Sequence, residues 1–120
     1  MSSDKDEQRE WRFYVADMIK FSENVLSYTS GMDQATFVAD TLTYDATLRN
    51  LELIGEAATH VPNTVRDAYP AIPWRAIIGV RNRLAHGYLS MNEDLIWSMI
   101  QDAVPKLLPE LENLLGMDIF

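Results

Sequence analysis

Between Gly79 and Tyr88 the chain reads GVRNRLAHGY, which sets two arginines, an asparagine, a histidine and a tyrosine beside apolar neighbours. Arg81 and His86 are the pair with chemical meaning. An imidazole that titrates near neutrality can take a proton from an attacking hydroxyl or return one to a leaving alkoxide. A guanidinium keeps its charge and can stabilise negative charge growing on a phosphate in its transition state. RNA supplies its own nucleophile in the 2′-hydroxyl, so such a pair needs no metal. The chain also offers little with which to hold one. It has no cysteine, His60 and His86 are its only histidines, and no E-x-x-H pattern occurs.

The motif belongs on a helix. With Arg81 at the origin of a helical wheel that advances about 100° per residue, Ile77, Leu84 and Val80 fall on one side of it and Trp74, Ala85 and Ile78 on the other. Arg81 therefore stands in the middle of an apolar arc, where a permanent charge is costly unless it meets a carboxylate, a phosphate or a wet cleft. Asn82, His86 and Gly79 come next around the wheel and form a polar edge beside that arc. Arg81 and His86 are about 140° apart on an ideal helix. They converge on one ligand only if the helix loosens near Gly87 or another surface completes the site, and a symmetric dimer is one such surface.

Each of these residues also has a structural reading. His86 suits the C-terminal end of a helix, where a cation is favoured. Arg83, nearly opposite Arg81 on the wheel, suits solvent. Tyr88 suits packing with its hydroxyl at the rim, and Trp11, Trp74 and Trp97 suit a core or a dimer contact better than base stacking. Arg81 alone resists such an account.

The elements that must carry the motif are helical. Trp11, Tyr14, Met18, Phe21, Val25 and Tyr28 recur at spacings of three and four, after a polar start expected to be unstructured over residues 1–5. Gly31 is the stop signal, and Asp33 is placed to cap a short helix carrying Phe37 and Val38. A third helix is expected from about Thr43 to His60. Its Gly55 and Ala58 allow another backbone to come close.

The same helix bears a stripe of Asp45, Arg49, Glu52, Glu56 and His60. The stripe reads either as a solvated face with ion pairs or as a row in which Glu52 or Glu56 orients an arginine or histidine on a partner helix. Three prolines in VPNTVRDAYPAIPW predict a short helix between Pro62 and Tyr69, then a turn, then a helix with Pro73 at its first position. Asn92 can cap a last helix running through Leu95, Met99 and Ile100 to Leu114, kinked at Pro105.

No stretch alternates at period two for long enough to suggest a sheet. The expectation is a single all-α domain over residues 1–120, an antiparallel four-helix-type bundle with one or two short extra helices. Its 120 residues suffice for one core, and a chain this short is often completed by oligomerisation. The net charge of −8 argues against indiscriminate binding to nucleic acid. The charge is uneven, however. Residues 49–90 hold five arginines against three acids, so an anion site belongs in the middle third. A charged start with no long apolar run predicts neither a leader nor a membrane anchor, and a cytoplasmic location.

RNRLAHGY has the form R-N-x-L-A-H-x-Y and resembles the R-x-x-x-x-H-x-Y signature of HepT-type toxins in the HEPN superfamily. GMD, LRNLELIGEAA, YPAIPWRAIIGVRNRLAHGY and the closing Trp97 to LP-x-L pattern occur in the same order as in that family, over roughly residues 9–112. The resemblance implies a HEPN-like bundle that dimerises so that the motif helices line a shared cleft. It implies a metal-independent ribonuclease, the toxin of a toxin-antitoxin pair, with no cofactor of its own.

On this resemblance Arg81 and His86 are catalytic and Asn82 supports them; Arg83, on the same helix, and Glu56, from the polar stripe of the third helix, are also expected to support the pair. The expected partners are RNA, a second copy of the chain and an MNT-type nucleotidyltransferase antitoxin. That antitoxin uses ATP to attach AMP to the motif tyrosine, which here is Tyr88. Two other readings stay open. One is a noncatalytic nucleotide-binding or regulatory partner of a nucleotidyltransferase. The other is a purely structural bundle, which requires Arg81 to be paired within the chain and His86 to be dispensable.

Overall fold

The computed structural model describes residues 3–87 and 91–118, with side chains from Glu10 onward. Seven helices lie in this range: α1 (Ser3–Tyr28), α2 (Gln34–Ala39), α3 (Thr41–Thr59), α4 (Asn63–Ala68), α5 (Trp74–Ala85), α6 (Glu93–Ser98) and α7 (Val104–Leu115). No strand occurs among the described residues. The all-α bundle expected from the apolar seams is present. Trp11, Val15, Met18 and Val25 of α1 are fully buried against Leu48, Leu51 and Ile54 of α3 and Leu111 and Leu114 of α7.

Local chemistry sets most of the boundaries. Gly31 turns the chain with φ +77°, a conformation that favours glycine. Asp33 then caps α2 by accepting from the Thr36 amide at 2.8 Å. Asp40 closes α2 and caps α3, accepting from the Thr43 amide. Because of that shared cap, α3 starts at Thr41 rather than at Thr43. Asn92 caps α6 through the amides of Asp94 and Leu95.

Two expectations are corrected. The first helix begins at Ser3, so residues 3–5 are helical and only 1–2 lie outside the described residues. The polar start has no apolar period, but its Lys, Glu, Gln and Arg are good helix formers and extend the helix back from Trp11. Pro73 is the N-cap residue of α5, one position ahead of its first helical residue, Trp74. At Pro105, where a kink was expected, the chain passes through a widened turn. A π turn over Met99–Ala103 joins α6 to α7, with the Val104 amide bonded back to the Met99 carbonyl. Proline lacks an amide proton and crowds the carbonyl four residues earlier, and a π turn relieves both problems while the helix continues.

The long helices follow one another in space as α7, α1, α3 and α5, and α5 docks chiefly on α3. Gly55 makes that docking close. A Cβ built there would overlap Arg81 Cβ and lie 2.9 Å from the Ile77 carbonyl oxygen. The close approach that Gly55 was expected to allow is therefore the contact that brings α3 against the motif helix.

Candidate active site on the motif helix

The α3–α5 contact resolves the misfit of Arg81. Glu56, one residue past Gly55, receives the Arg81 Nε at 2.9 Å and Nη2 at 2.6 Å, both on its Oε1. Arg81 Nη1 donates to Asn82 Oδ1 at 2.9 Å. The second Glu56 oxygen lies 3.3 Å from His60 Nε2, and the His60 ring stacks on Tyr14 with centroids 4.7 Å apart and an interplanar angle of 15°. A chain of polar contacts thus runs from Tyr14 through His60, Glu56 and Arg81 to Asn82.

The polar stripe of α3 turns out to be of both kinds. Arg49 and Glu52 form an ion pair at 3.2 Å along the helix. Glu56 reaches across to the partner helix.

Arg81 meets the condition that a purely structural bundle requires, since it is paired within the chain. The pairing still leaves the group available. The Arg81 side chain is 34% exposed and Glu56 42% exposed, so the pair sits at a wet edge. Three of the five guanidinium N–H groups are used among the described residues, and the others are open to an anion. One carboxylate held on one edge of the guanidinium fixes its plane, which is what a preorganised phosphate contact needs.

The Arg81 hydrogen bonds hold the Glu56 carboxyl below the ordinary glutamate range, against the opposing effect of burial and with His60 helping. Its folded value is depressed, so the stabilisation it brings is present above the unfolded value, about 4.3, and is lost as pH falls through the folded one. Both partners are about a third exposed or more, so the contribution is that of a screened pair, a few tenths to about 1 kcal/mol. Urea midpoints measured from about pH 6 down to about pH 3 should show a smaller acid-driven loss in Glu56→Gln than in the parent. Identical acid slopes would rule out the ion pair as a contributor.

His86 is the C-cap of α5, with its amide bonded to the Arg83 and Leu84 carbonyls. Its imidazole is exposed and makes no hydrogen bond among the described residues. The structural reading of His86 as a helix-end residue is thus correct for its backbone, and its ring remains free to act. Gly87 follows with φ +132°, a conformation that favours glycine, just past the end of the helix. Arg83 is exposed in the last turn of α5.

The structure joins Arg81, Glu56 and Asn82 and sets His86 one turn beyond them. It does not bring His86 into contact with Arg81. Tyr88 lies outside the described residues. Among the described residues no three His, Asp or Glu side chains gather as a metal site, and no helix is long and apolar enough to cross a membrane.

Trp11 and Trp74 are core residues, and Trp97 packs at 5.5 Å, tilted, on the buried Phe37. The His60–Tyr14 stack was not read from the sequence.

An arginine held on a glutamate in mid-helix, with a bare imidazole at that helix's end, is an arrangement that could meet a phosphate in a small helical bundle. The match to known proteins is more specific. Residues 18–114 fit the model of the family described as Ribonuclease HepT-like. A protein of Methanocaldococcus jannaschii named as a candidate RNase is 30% identical over 105 residues, covering 88% of this chain and 96% of its own. A Thermococcus cleftensis protein named "Probable ribonuclease HepT" is 30% identical over 107 residues, 89% of this chain and 97% of its own. A candidate RNase of Caldanaerobacter subterraneus is 31% identical over 104 residues, 87% of this chain and 93% of its own. No solved structure matches the chain. The chain belongs to the HepT-like family of the HEPN superfamily.

Proposed function

We propose that the protein is a metal-independent endoribonuclease, the toxin of a toxin-antitoxin pair. The observation that carries this reading is the partly exposed Arg81 guanidinium, fixed by Glu56 of α3 and by Asn82, on the helix that ends in the bare His86 imidazole. In the reaction His86 takes the proton of an RNA 2′-hydroxyl and the 2′ oxygen bonds to phosphorus. The bond from phosphorus to the 5′ oxygen then breaks, and that oxygen is protonated as it leaves. Arg81 faces the charge that builds on the phosphate oxygens, and Asn82, Glu56 and Arg83 support it. The names of the relatives favour RNA as the substrate.

The protein works as a cytoplasmic homodimer in this reading. Ile77 and Val80 of α5 are half-buried and Ala76 is exposed, along an apolar groove of about 280 Å³ between α5 and α7 that a second copy would close. Tyr88, two residues past His86, is the regulatory position. AMP added there by an MNT-type nucleotidyltransferase that uses ATP puts phosphate charge and bulk beside the site and repels RNA.

The deciding experiment incubates the purified protein with RNA in excess chelator, beside the same RNA carrying 2′-deoxy sugars. The ordinary RNA should be cut and the deoxy-substituted RNA should resist. Loss of cleavage in chelator, or equal cleavage of both, would end this reading. Binding of ATP or AMP with the RNA left whole would favour the regulatory-partner alternative. The switch is read separately, as an AMP-sized mass increment that appears with the nucleotidyltransferase and ATP and is absent in Tyr88→Phe.

A further inference from the structure

A trough of about 1030 Å³ runs between α4 and the motif helix. One end is Asn82, the residue that receives Arg81 Nη1. Arg75 and Arg66 line the part away from Asn82, with Asp67 the one acid in the lining. On the helical wheel Asn82, Arg75, His86 and Gly79 fall within about 60° of one another, so one side of α5 carries them all. The trough therefore lies on the side of α5 that bears His86, and Asn82 links it to Arg81. From Arg75 to Asn82 is about 10 Å along the axis.

Arg66 is steadied by its Nε bond to the Val61 carbonyl at 2.8 Å, and its terminal nitrogens make no hydrogen bond among the described residues. Neither Arg66 nor Arg75 forms an ion pair among the described residues. The floor is apolar, with Ile78 and the buried Trp74, and Gly79 keeps it open, since a Cβ there would meet nothing within 4 Å.

The geometry points to this trough as the track along which single-stranded RNA leaves the scissile site, with phosphates on Arg75 and Arg66 and bases over the Ile78 and Gly79 floor. The inference rests on the ribonuclease reading and adds where the substrate lies. Two cations at the rim of an apolar floor match a flexible strand, whose phosphates and base faces lie side by side. They also supply local positive charge on a chain of net charge −8.

The test measures direct binding of a roughly twelve-nucleotide 2′-O-methyl RNA, which cannot be cut through its 2′ position, to the full chain across a salt series. Arg75→Gln should weaken binding several-fold and make the slope of log K against log salt shallower by about 0.7, the value of one phosphate contact on a single strand. Gly79→Glu, which fills and repels without crowding the fold, should weaken binding about tenfold. Lys106→Gln on α7 removes the same charge elsewhere and should change little.

Parent-like binding by both trough variants, or failure of the parent to bind, would overturn the inference. So would a Gly79→Glu protein whose mass in solution changes while its RNA affinity does not, because a second copy would then occupy the trough. A parent that binds this RNA through Arg75 and Gly79 but never cuts ordinary RNA would leave the trough standing and remove the nuclease reading.

Discussion

Replacing His86 with alanine should lower the rate of RNA cleavage by about 10²–10⁴, the range in which one positioned acid or base acts, and should leave the protein folded. The two halves of the expectation come from different observations. The imidazole is the one nitrogen base on the motif helix suited to proton transfer, and it stands bare at the helix end beyond Asn82. The fold does not depend on it. The helix is closed by the His86 amide, which alanine retains, and the ring makes no hydrogen bond among the described residues. The stability change should stay within the ~0.3–1 kcal/mol that a cation at a helix C-terminus contributes. Cleavage of a labelled RNA and a melting curve on the same preparation give both readouts. Full activity in a folded His86→Ala protein would end the catalytic assignment, and joint loss of fold and activity would make His86 a structural residue.

Much of the fold was legible because helical seams repeat and caps are local. Asp33 and Asn92 cap where their side-chain chemistry says they should, and Gly31 and Gly87 stop helices with the positive φ that favours glycine. Legibility fell where the deciding partner is distant or depends on accommodation. Pro105 announced a disturbance, but nothing local to it says that a π turn absorbs it.

The site divides in the same way. Arg81 could be recognised as anomalous from its own helix, whereas its partner lies 25 residues earlier. The α3 stripe offered two glutamates for the role; Glu56 was already named as a supporting residue, and the position of Gly55 at the contact shows why it rather than Glu52 reaches Arg81. Arg75 passed unremarked as one more exposed arginine. It becomes informative when set seven residues before Asn82 on the same side of α5, opposite Arg66 of α4.

Gly55 is where fold and chemistry meet, and Gly55→Ala should destabilise the protein by about 1–3 kcal/mol while weakening catalysis. Alanine in mid-helix ordinarily stabilises by up to about 1 kcal/mol over glycine, so the expected sign is the reverse of the helical preference. The reason is contact. The added Cβ would overlap Arg81 Cβ and press to 2.9 Å from the Ile77 carbonyl oxygen, and a backbone atom cannot swing aside as a flexible side-chain tip can. The two helices must separate. Separation carries Arg81 away from Glu56 and frees a guanidinium plane that the 2.6 and 2.9 Å bonds had fixed, so activity falls although no reacting group has changed. Gly79→Ala is the internal comparison. A Cβ there meets nothing within 4 Å, so the same substitution on the neighbouring helix should stabilise. Urea denaturation of the two variants beside the parent, with cleavage rates taken well below the lower melting temperature, should show opposite signs of stability change. If Gly55→Ala proved as stabilising as Gly79→Ala, the close approach of α3 to the motif helix would be wrong, and the Glu56 clamp on Arg81 would lose its structural basis.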